Sequence, residues 1–454
     1  MKQPLSERVW STLLEQNSSH SSLQILVAFS GGLDSTVLLH TLAADARKHD
    51  ARVRAIHVDH QLHAQSADWE RHCATVAQTL GVEFESRRVR IADRPEEGIE
   101  SAARRARYEA LCEALRPDEI LVTAHHADDQ LETVLLALMR GSGVDGLAAM
   151  PRVQRFGIGW HIRPLLECTR DEIESWATAH ALQWIDDPSN VNSRFDRNYL
   201  RGEVMPRLRT RWPSAAHSAV RTASHLGEAA KLLEGLAQED LAGAAVARCL
   251  KVEALRMLAP ARRRNLLRYW LASQGVRAPS TRKLAVLEHD MLMASEERSP
   301  CVDWDDVEVR RHRGLLYCGP KLSVCRDRIE RWPWATEVLE RASGLLRAEI
   351  AHGQGLARGR LASELQIRSR KGGEVLRLPG HAHRRPLKKL LQEADVLPWW
   401  REHVPLIFSG DDLVAVADLW INADFAASRE EEGVRIVWEH RPAIEAVVAD
   451  RSTT

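Results

Sequence analysis

Across the first 140 residues, apolar runs of strand length alternate with longer stretches of helical spacing. The runs fall at residues 24–29, 53–58, 82–91 and 120–123, and each precedes apolar positions that recur every three or four residues. A strand–helix repeat of this kind predicts a parallel sheet covered by helices on both faces, since parallel neighbours must be joined by crossovers that pack back on the sheet. Ligands of such sheets collect at the carboxyl ends of the strands. Three polar clusters fall there: SGGLDST (30–36) after the first run, HVDH (57–60) at the second and HHADD (125–129) after the fourth. Topology thus makes them one candidate site.

In SGGLDST, Gly31 and Gly32 permit positive φ and close backbone approach, and the helix that follows offers unpaired amides and the positive end of its dipole. With the hydroxyls of Ser30, Ser35 and Thr36 this is an anion cradle. No lysine follows the glycines, so it is neither G-x-x-x-x-G-K-S/T nor G-x-G-x-x-G. The bland alternative is a tight turn capped by Asp34 or Ser35.

The chain of 454 residues predicts two to four domains. Its 63 basic and 63 acidic residues cancel, so any polyanion must be met by local patches. The seven cysteines are scattered without a C-x-x-C pair, which points to reduced thiols rather than a disulfide framework, zinc or an iron–sulfur cluster. The N-terminus lacks an apolar signal core, and no apolar stretch approaches the roughly 18 residues of a membrane span. A cytoplasmic protein without a membrane partner is expected.

S-G-G-L-D-S at 30–35 resembles the pyrophosphate loop of the ATP pyrophosphatase superfamily (adenine nucleotide alpha hydrolase-like fold), whose members cleave ATP between the α and β phosphates to adenylate a substrate. Further stretches narrow the resemblance: HVDHQL (57–62), ESAARRARYEAL (100–111), TAHHADDQLETVLLALMRGSGVDGLAAM (123–150), RPLL (163–166), DDPSN (186–190), RNYLR (197–201) and a block over 370–421. In order and spacing they are similar to the tRNA(Ile)-lysidine synthetase family. That resemblance implies an α/β fold: a parallel-sheet ATP pyrophosphatase domain over 1–214, a helical tRNA-binding domain over 215–330, a connector over 331–364 and a small mixed α/β tRNA-binding domain over 365–454. It also implies a reaction. ATP adenylates the C2 oxygen of the wobble cytidine of tRNA(Ile) with a CAU anticodon, and free lysine displaces AMP to give lysidine, which switches the tRNA from methionine to isoleucine. Magnesium is the implied metal, and a homodimer is admitted but not required.

Carried onto this sequence, the family motifs make Asp34, Arg104 and Asp129 the catalytic candidates, with Asp34 also the metal candidate. ATP would meet Ser30, Gly31, Gly32, Leu33, Asp34, Ser35, His57 and Asp59, and lysine would meet Arg104, Asp129 and Glu132. The spacing agrees: Arg104 and Arg107 share one helical face, and a helix opening near Asp128 brings Asp129 and Glu132 together. Asp128 is also a plausible helix cap, with Glu132 in the first turn. His125 and His126 line a pocket or pack, and no spacing gathers the histidines into a metal site.

Three basic segments answer the neutral net charge. Residues 254–287 carry eight Lys or Arg and no acid, 367–389 carry eight against Glu374, and 194–211 carry six arginines against two acids. Arg262, Arg263, Arg264, Arg384, Lys388 and Lys389 are the candidate tRNA contacts. Trp399 or Trp400 could stack on bases, though such a pair is more often core. Two other functions use similar parts: a tRNA thiolation enzyme, which the missing cysteine pairs disfavour, and a non-catalytic ATP- and RNA-binding sensor.

Overall fold

The computed structural model describes residues 3–16, 22–61, 65–90, 99–186, 196–295, 298–321 and 329–441. The DDPSN stretch beyond Asp186, Leu62 of HVDHQL, the end of the predicted third strand and the tail from 442 lie outside them. The chain forms two compact units, Met1–Leu233 and Glu234–Thr454.

In the first unit, helix α1 (Leu5–Leu14) precedes β1 (Leu23–Ala28), α2 (Leu33–Asp45), β2 (Ala51–Asp59), α3 (Ser66–Leu80), β3 (Glu83–Arg88), α4 (Ile99–Ala114), β4 (Glu119–Val122) and α5 (Ala127–Met139). The predicted alternation is therefore present. After the short α6 (Val144–Leu147) come β5 (Val153–Phe156) and β6 (Gly159–Ile162), a hairpin the apolar runs did not announce. The strand order is β3-β2-β1-β4-β6-β5, all parallel except the edge strand β5. Strand order reverses between β1 and β4, and that switch point opens the crevice where α/β sheets bind ligands. Ile25, Val27, Phe29, Val37, Leu38 and Val122 are fully buried in the core beneath it; each such side chain contributes about 1.5–3 kcal/mol of burial. At the opposite end, Arg54 is buried against Glu119, Glu85 and the Ala114 carbonyl, so the sheet's amino-end charge is internally paired. Next come α7 (Arg170–Ala179), α8 (Asp196–Tyr199), a π-helical turn (Leu200–Val204), α9 (Met205–Arg211) and α10 (Ala215–Ala244).

The second unit begins within α10, at Glu234, and continues through β7 (Ala245–Val246), β8 (Cys249–Lys251), α11 (Val252–Met257), α12 (Pro260–Ser273), α13 (Thr281–Met293), β9 (Cys301–Trp304), β10 (Val307–His312) and β11 (Leu315–Pro320). The helices predicted here are accompanied by an antiparallel sheet of order β7-β8-β11-β10-β9, and Leu250, Leu266, Trp270 and Leu287 fill the core between them. Residues 331–364, expected as a connector, contain strands. Those from β12 onward are β12 (Glu330–Trp332), β13 (Leu339–Arg341), β14 (Gly344–His352), β15 (Leu356–Ala357), β16 (Leu365–Arg368), β17 (Val375–Leu376), β18 (Arg385–Pro386), β19 (Leu406–Ser409), β20 (Asp412–Val416), β21 (Trp420–Ile421) and β22 (Glu432–Glu439), with α14 (Leu387–Glu393) after β18. They form two larger sheets, β12-β16-β19-β20-β21 and β13-β14-β22-β15, around Trp332, Ile367, Leu391 and Val414. β22 pairs with β14 over eight positions.

Candidate active site

The turn after β1 is an anion cradle with its own scaffold. Gly31 has φ +82° and accepts the Ile185 amide at 2.9 Å, while Gly32 begins α2 without a side-chain cap. A first turn without a cap leaves amides for a ligand. Ser30 and Ser35 hydroxyls lie 3.0 Å apart, Ser35 donates to the Gly32 carbonyl at 3.0 Å, and Thr36 to the Gly31 carbonyl at 3.3 Å. Leu33 is buried and holds the turn to the core. Asp34 projects from this turn. Its Oδ2 lies 3.7 Å from both His126 Nε2 and Arg170, while its Oδ1 is buried without a hydrogen-bond partner among the described residues. Burial raises the Asp34 pKa above the usual carboxylate value, against the pull of His126 and Arg170.

The turn after β4 is a cation clamp. His126, rather than Asp128, caps α5: its Nδ1 accepts the Asp128 amide at 3.3 Å, and its own amide donates to Asp129 Oδ2 at 3.0 Å. Asp128 instead accepts the Arg170 amide at 2.8 Å and bonds Arg209. Asp129 and Glu132 are brought together as the spacing required, and Arg201 bridges them, its Nη2 2.7 Å from Asp129 Oδ1 and its Nε bonded to Glu132 Oε1. Glu132 is 1% exposed, and its other oxygen has no partner among the described residues. Burial would raise both carboxyls. At Glu132 it prevails, whereas at Asp129 the neighbouring His126, His125 and Arg201 outweigh it and hold the pKa low. Arg201 sits on the π-helical turn, a local geometry frequent at functional sites.

Other predicted residues take different positions. The His57 ring is buried, 3.0 Å from the Phe29 carbonyl and 3.6 Å from Cys73 Sγ; Asp59 is buried and accepts the Gln61 amide at 2.8 Å. Both end β2 beside the cradle. Arg104 is exposed, with its guanidinium 5.1 Å from the Tyr108 ring centre. Arg107 is half-buried and makes no hydrogen bond or ion pair among the described residues; its charge is felt by His57 and His60 on one side and by His125 and His161 on the other. Burial holds His125 at about 3 and His161 at about 2, so both stay neutral, sharing the Thr123 hydroxyl at 2.8 Å each.

In the second unit, the basic candidates divide. Arg262 is held bidentately by Asp240. Arg263 is spent on the Leu255 and Leu258 carbonyls and Glu288, and Arg264 lies 3.6 Å from the same Glu288. Arg384, Lys388 and Lys389 are exposed.

A nucleotide loop at the switch point of a parallel sheet defines a class, and residues 4–208 match the PP-loop domain of that class. The chain is a PP-loop ATP pyrophosphatase that uses ATP. Residues 250–317 match the TilS substrate binding domain and 365–438 the TilS substrate C-terminal domain. The chain is 39% identical over 415 residues to tRNA(Ile)-lysidine synthase of Coxiella burnetii, covering 91% of this chain and 92% of that one. It is 40% identical over 421 residues to the Shigella flexneri enzyme (92% and 97% covered) and 41% over 425 residues to that of Alkalilimnicola ehrlichii (92% and 94%). The chain belongs to the tRNA(Ile)-lysidine synthase family, and it is an enzyme of the ligase class.

Magnesium fits this site in a limited way. No group of three or more His, Cys, Asp or Glu among the described residues is arranged to hold a metal. The orphaned Asp34 Oδ1 beside the cradle is the single hard ligand that Mg²⁺ commonly takes alongside substrate phosphates.

Proposed function

We propose that the chain joins free lysine to C2 of the wobble cytidine of tRNA(Ile) bearing a CAU anticodon, with release of AMP and pyrophosphate. One observation carries this reading: a single crevice holds an anion cradle and, one histidine away, a carboxylate pair gripping a side-chain cation. In the first step the cytidine C2 oxygen attacks the α-phosphorus of ATP, the bond to the β-phosphate breaks, and pyrophosphate leaves against the amides and hydroxyls of residues 30–36. Magnesium bound at Asp34 would neutralise phosphate charge. Arg107, half-buried and without a counter-ion among the described residues, is the better placed of the two motif arginines to meet the reacting phosphate, with Arg104 at the rim.

In the second step the lysine ε-amine attacks C2 and the C2–O bond to AMP breaks. Arg201 stands where the substrate ammonium would be held, so Asp129 and Glu132 are matched to a cation. Glu132, whose pKa burial raises, is suited to accept the proton the amine must lose. The exposed Arg384, Lys388 and Lys389 would grip the tRNA body. Arg263, engaged by carbonyls and Glu288, serves the fold instead.

We place the reaction in the cytoplasm; no described helix is long and apolar enough to cross a membrane. The proposed chemistry needs one copy, and sedimentation measures whether two associate. The decisive test incubates the chain with ATP, Mg²⁺, labelled lysine and unmodified tRNA(Ile). Label should enter the RNA as lysidine, and sulfur transfer or no incorporation would refute the reading.

A further inference from the structure

The β5–β6 hairpin continues a row of polar side chains that runs across three strands to the active site. Gln154 of β5 pairs with His161 of β6, and His161 pairs with Leu121 of β4, two positions before Thr123. The two-residue period of a strand then puts Gln154, His161 and Thr123 on one face of the sheet. Their contacts follow that order. Gln154 Nε2 lies 3.3 Å from His161 Nδ1, His161 Nε2 lies 2.8 Å from the Thr123 hydroxyl, and that hydroxyl lies 2.8 Å from His125 Nδ1. His161 is fully buried, with the Tyr108 and Phe156 rings 5.9 and 5.8 Å from its own.

The direction of every bond in this row is forced from its outer end. An amide nitrogen can only donate, so His161 Nδ1 accepts and the neutral ring carries its proton on Nε2. That Nε2–H donates to Thr123. A hydroxyl has one proton, and Thr123 therefore donates its own to His125 Nδ1. His125 is left with its proton on Nε2, an atom that makes no hydrogen bond among the described residues. Both rings stay neutral because burial, with the guanidiniums of Arg163, Arg107 and Arg104, disfavours a second proton. The charges acting on His125 set its half-buried ring among Asp129 of the clamp and Arg104 and Arg107 of α4.

We propose that His125 is a catalytic residue that donates its Nε2–H to the oxygen leaving with AMP, and that Gln154, His161 and Thr123 are positioning residues that fix this tautomer. The assignment rests on the ligation reading above. When the lysine amine attacks C2, the C2–O bond breaks and its electron pair stays on the AMP oxygen, where a fixed donor stabilises the growing charge. That oxygen lies between an amine held at the clamp and a phosphate met from α4, which is where the His125 ring stands. The His125 proton remains on nitrogen throughout, and the amine's proton goes to Glu132.

Gln154→Glu tests the row by reversing it. A carboxylate accepts from His161 Nδ1–H, Thr123 then donates to His161 Nε2, and His125 donates to Thr123 from Nδ1 and presents a lone pair at Nε2. Lysine transfer to preformed adenylate should slow about 10²-fold, the scale of one lost oxyanion donor, with the KM for lysine unchanged. Thr123→Val cuts the row, so adding it to Gln154→Glu should return most of the rate, whereas a charge acting through space or a merely structural Gln154 would leave the double variant slow. Nitrogen-15 NMR of the histidine-labelled full-length chain reads the tautomer directly, with His125 assigned by its loss in His125→Gln. The proton should sit on Nε2 in wild type and on Nδ1 in Gln154→Glu, and these spectra decide alone if the double variant fails to fold. The opposite tautomer in wild type, an unchanged one in Gln154→Glu, or a double variant as slow as the single overturns the proposal. Lysine incorporation into tRNA by wild type is measured alongside: incorporation without the tautomer reversal sinks only the row, and the reversal without incorporation sinks only the ligase reading.

Discussion

Two turns at the switch point share one architecture and have opposite electrostatics. Each joins a buried parallel strand to a helix, β1 to α2 and β4 to α5. The first begins its helix with an uncapped glycine and leaves one aspartate oxygen orphaned. The second closes its helix start with a reciprocal His126–Asp129 box and directs its carboxylates at arginines. A helix N-terminus is intrinsically an anion site. It becomes a cation site only when caps consume the amides and buried carboxylates reverse the sign, as happens at α5. His126 joins the two, 3.7 Å from Asp34 and 3.5 Å from Asp129.

The largest effect should come from the cradle. Asp34→Ala should lower AMP formation by on the order of 10³-fold, while tRNA affinity in a filter-binding assay stays within about twofold; a large affinity loss would make Asp34 an RNA contact. Glu132→Gln should instead spare pyrophosphate release, slow lysine transfer by roughly 10²-fold through loss of the base, and raise the KM for lysine by roughly 10–100-fold, the size of one charge-assisted bond. Equal loss in both half-reactions would erase the division between the turns. Gly31→Ala tests the scaffold. A Cβ there would lie 2.9 Å from Cys73 Sγ and Ile185 Cδ1 at φ +82°, so denaturant titration should show a loss of about 1–3 kcal/mol. Cys73→Ala should recover part of it, and an additive double variant would contradict the contact.

A separate readout is a pH dependence behind the clamp. His125 and His161 are held at about 3 and about 2 by burial, below the ordinary 6.5 of an unfolded chain. Below 6.5 the unfolded state binds protons that the folded state refuses. The stabilisation is thus whole above pH 6.5 and is lost as pH falls, at up to about 1.4 kcal/mol per pH unit for each histidine. Melting curves between pH 7 and 5 should show that slope, and His161→Asn should make it shallower.

Strands β1 and β4 were legible because strands buried on both faces are written as continuous apolar runs; the edge strand β3, EFESRR, is part-exposed and carries no such run. The β5–β6 hairpin was not, since its four-residue strands interleave Gln154, Arg155 and His161 with apolar positions and are too short to show a period. The Asp129–Glu132 pair followed from helical spacing. Its counter-ion did not, because Arg201 arrives from some seventy positions along the chain and no local pattern records that meeting. Arg104 and Arg107 illustrate a different limit: residues three apart share a face, and only packing decides which one is drawn inward. At Arg263, counting charge along the sequence missed Glu288 and two carbonyls that meet it in space. Within 331–364, β14 and β15 were hidden because their partner β22 lies far downstream.

The β14–β22 pairing sets an order of assembly during synthesis. All six strands of the parallel sheet are in hand once residue 162 has been made, so the nucleotide unit can close early. The sheet β13-β14-β22-β15 lacks an inner strand until residue 439 emerges. A premature stop anywhere in the preceding eighty residues would therefore leave β14 paired only with β13, and a chain able to bind ATP would carry an open, aggregation-prone edge in place of a finished second unit.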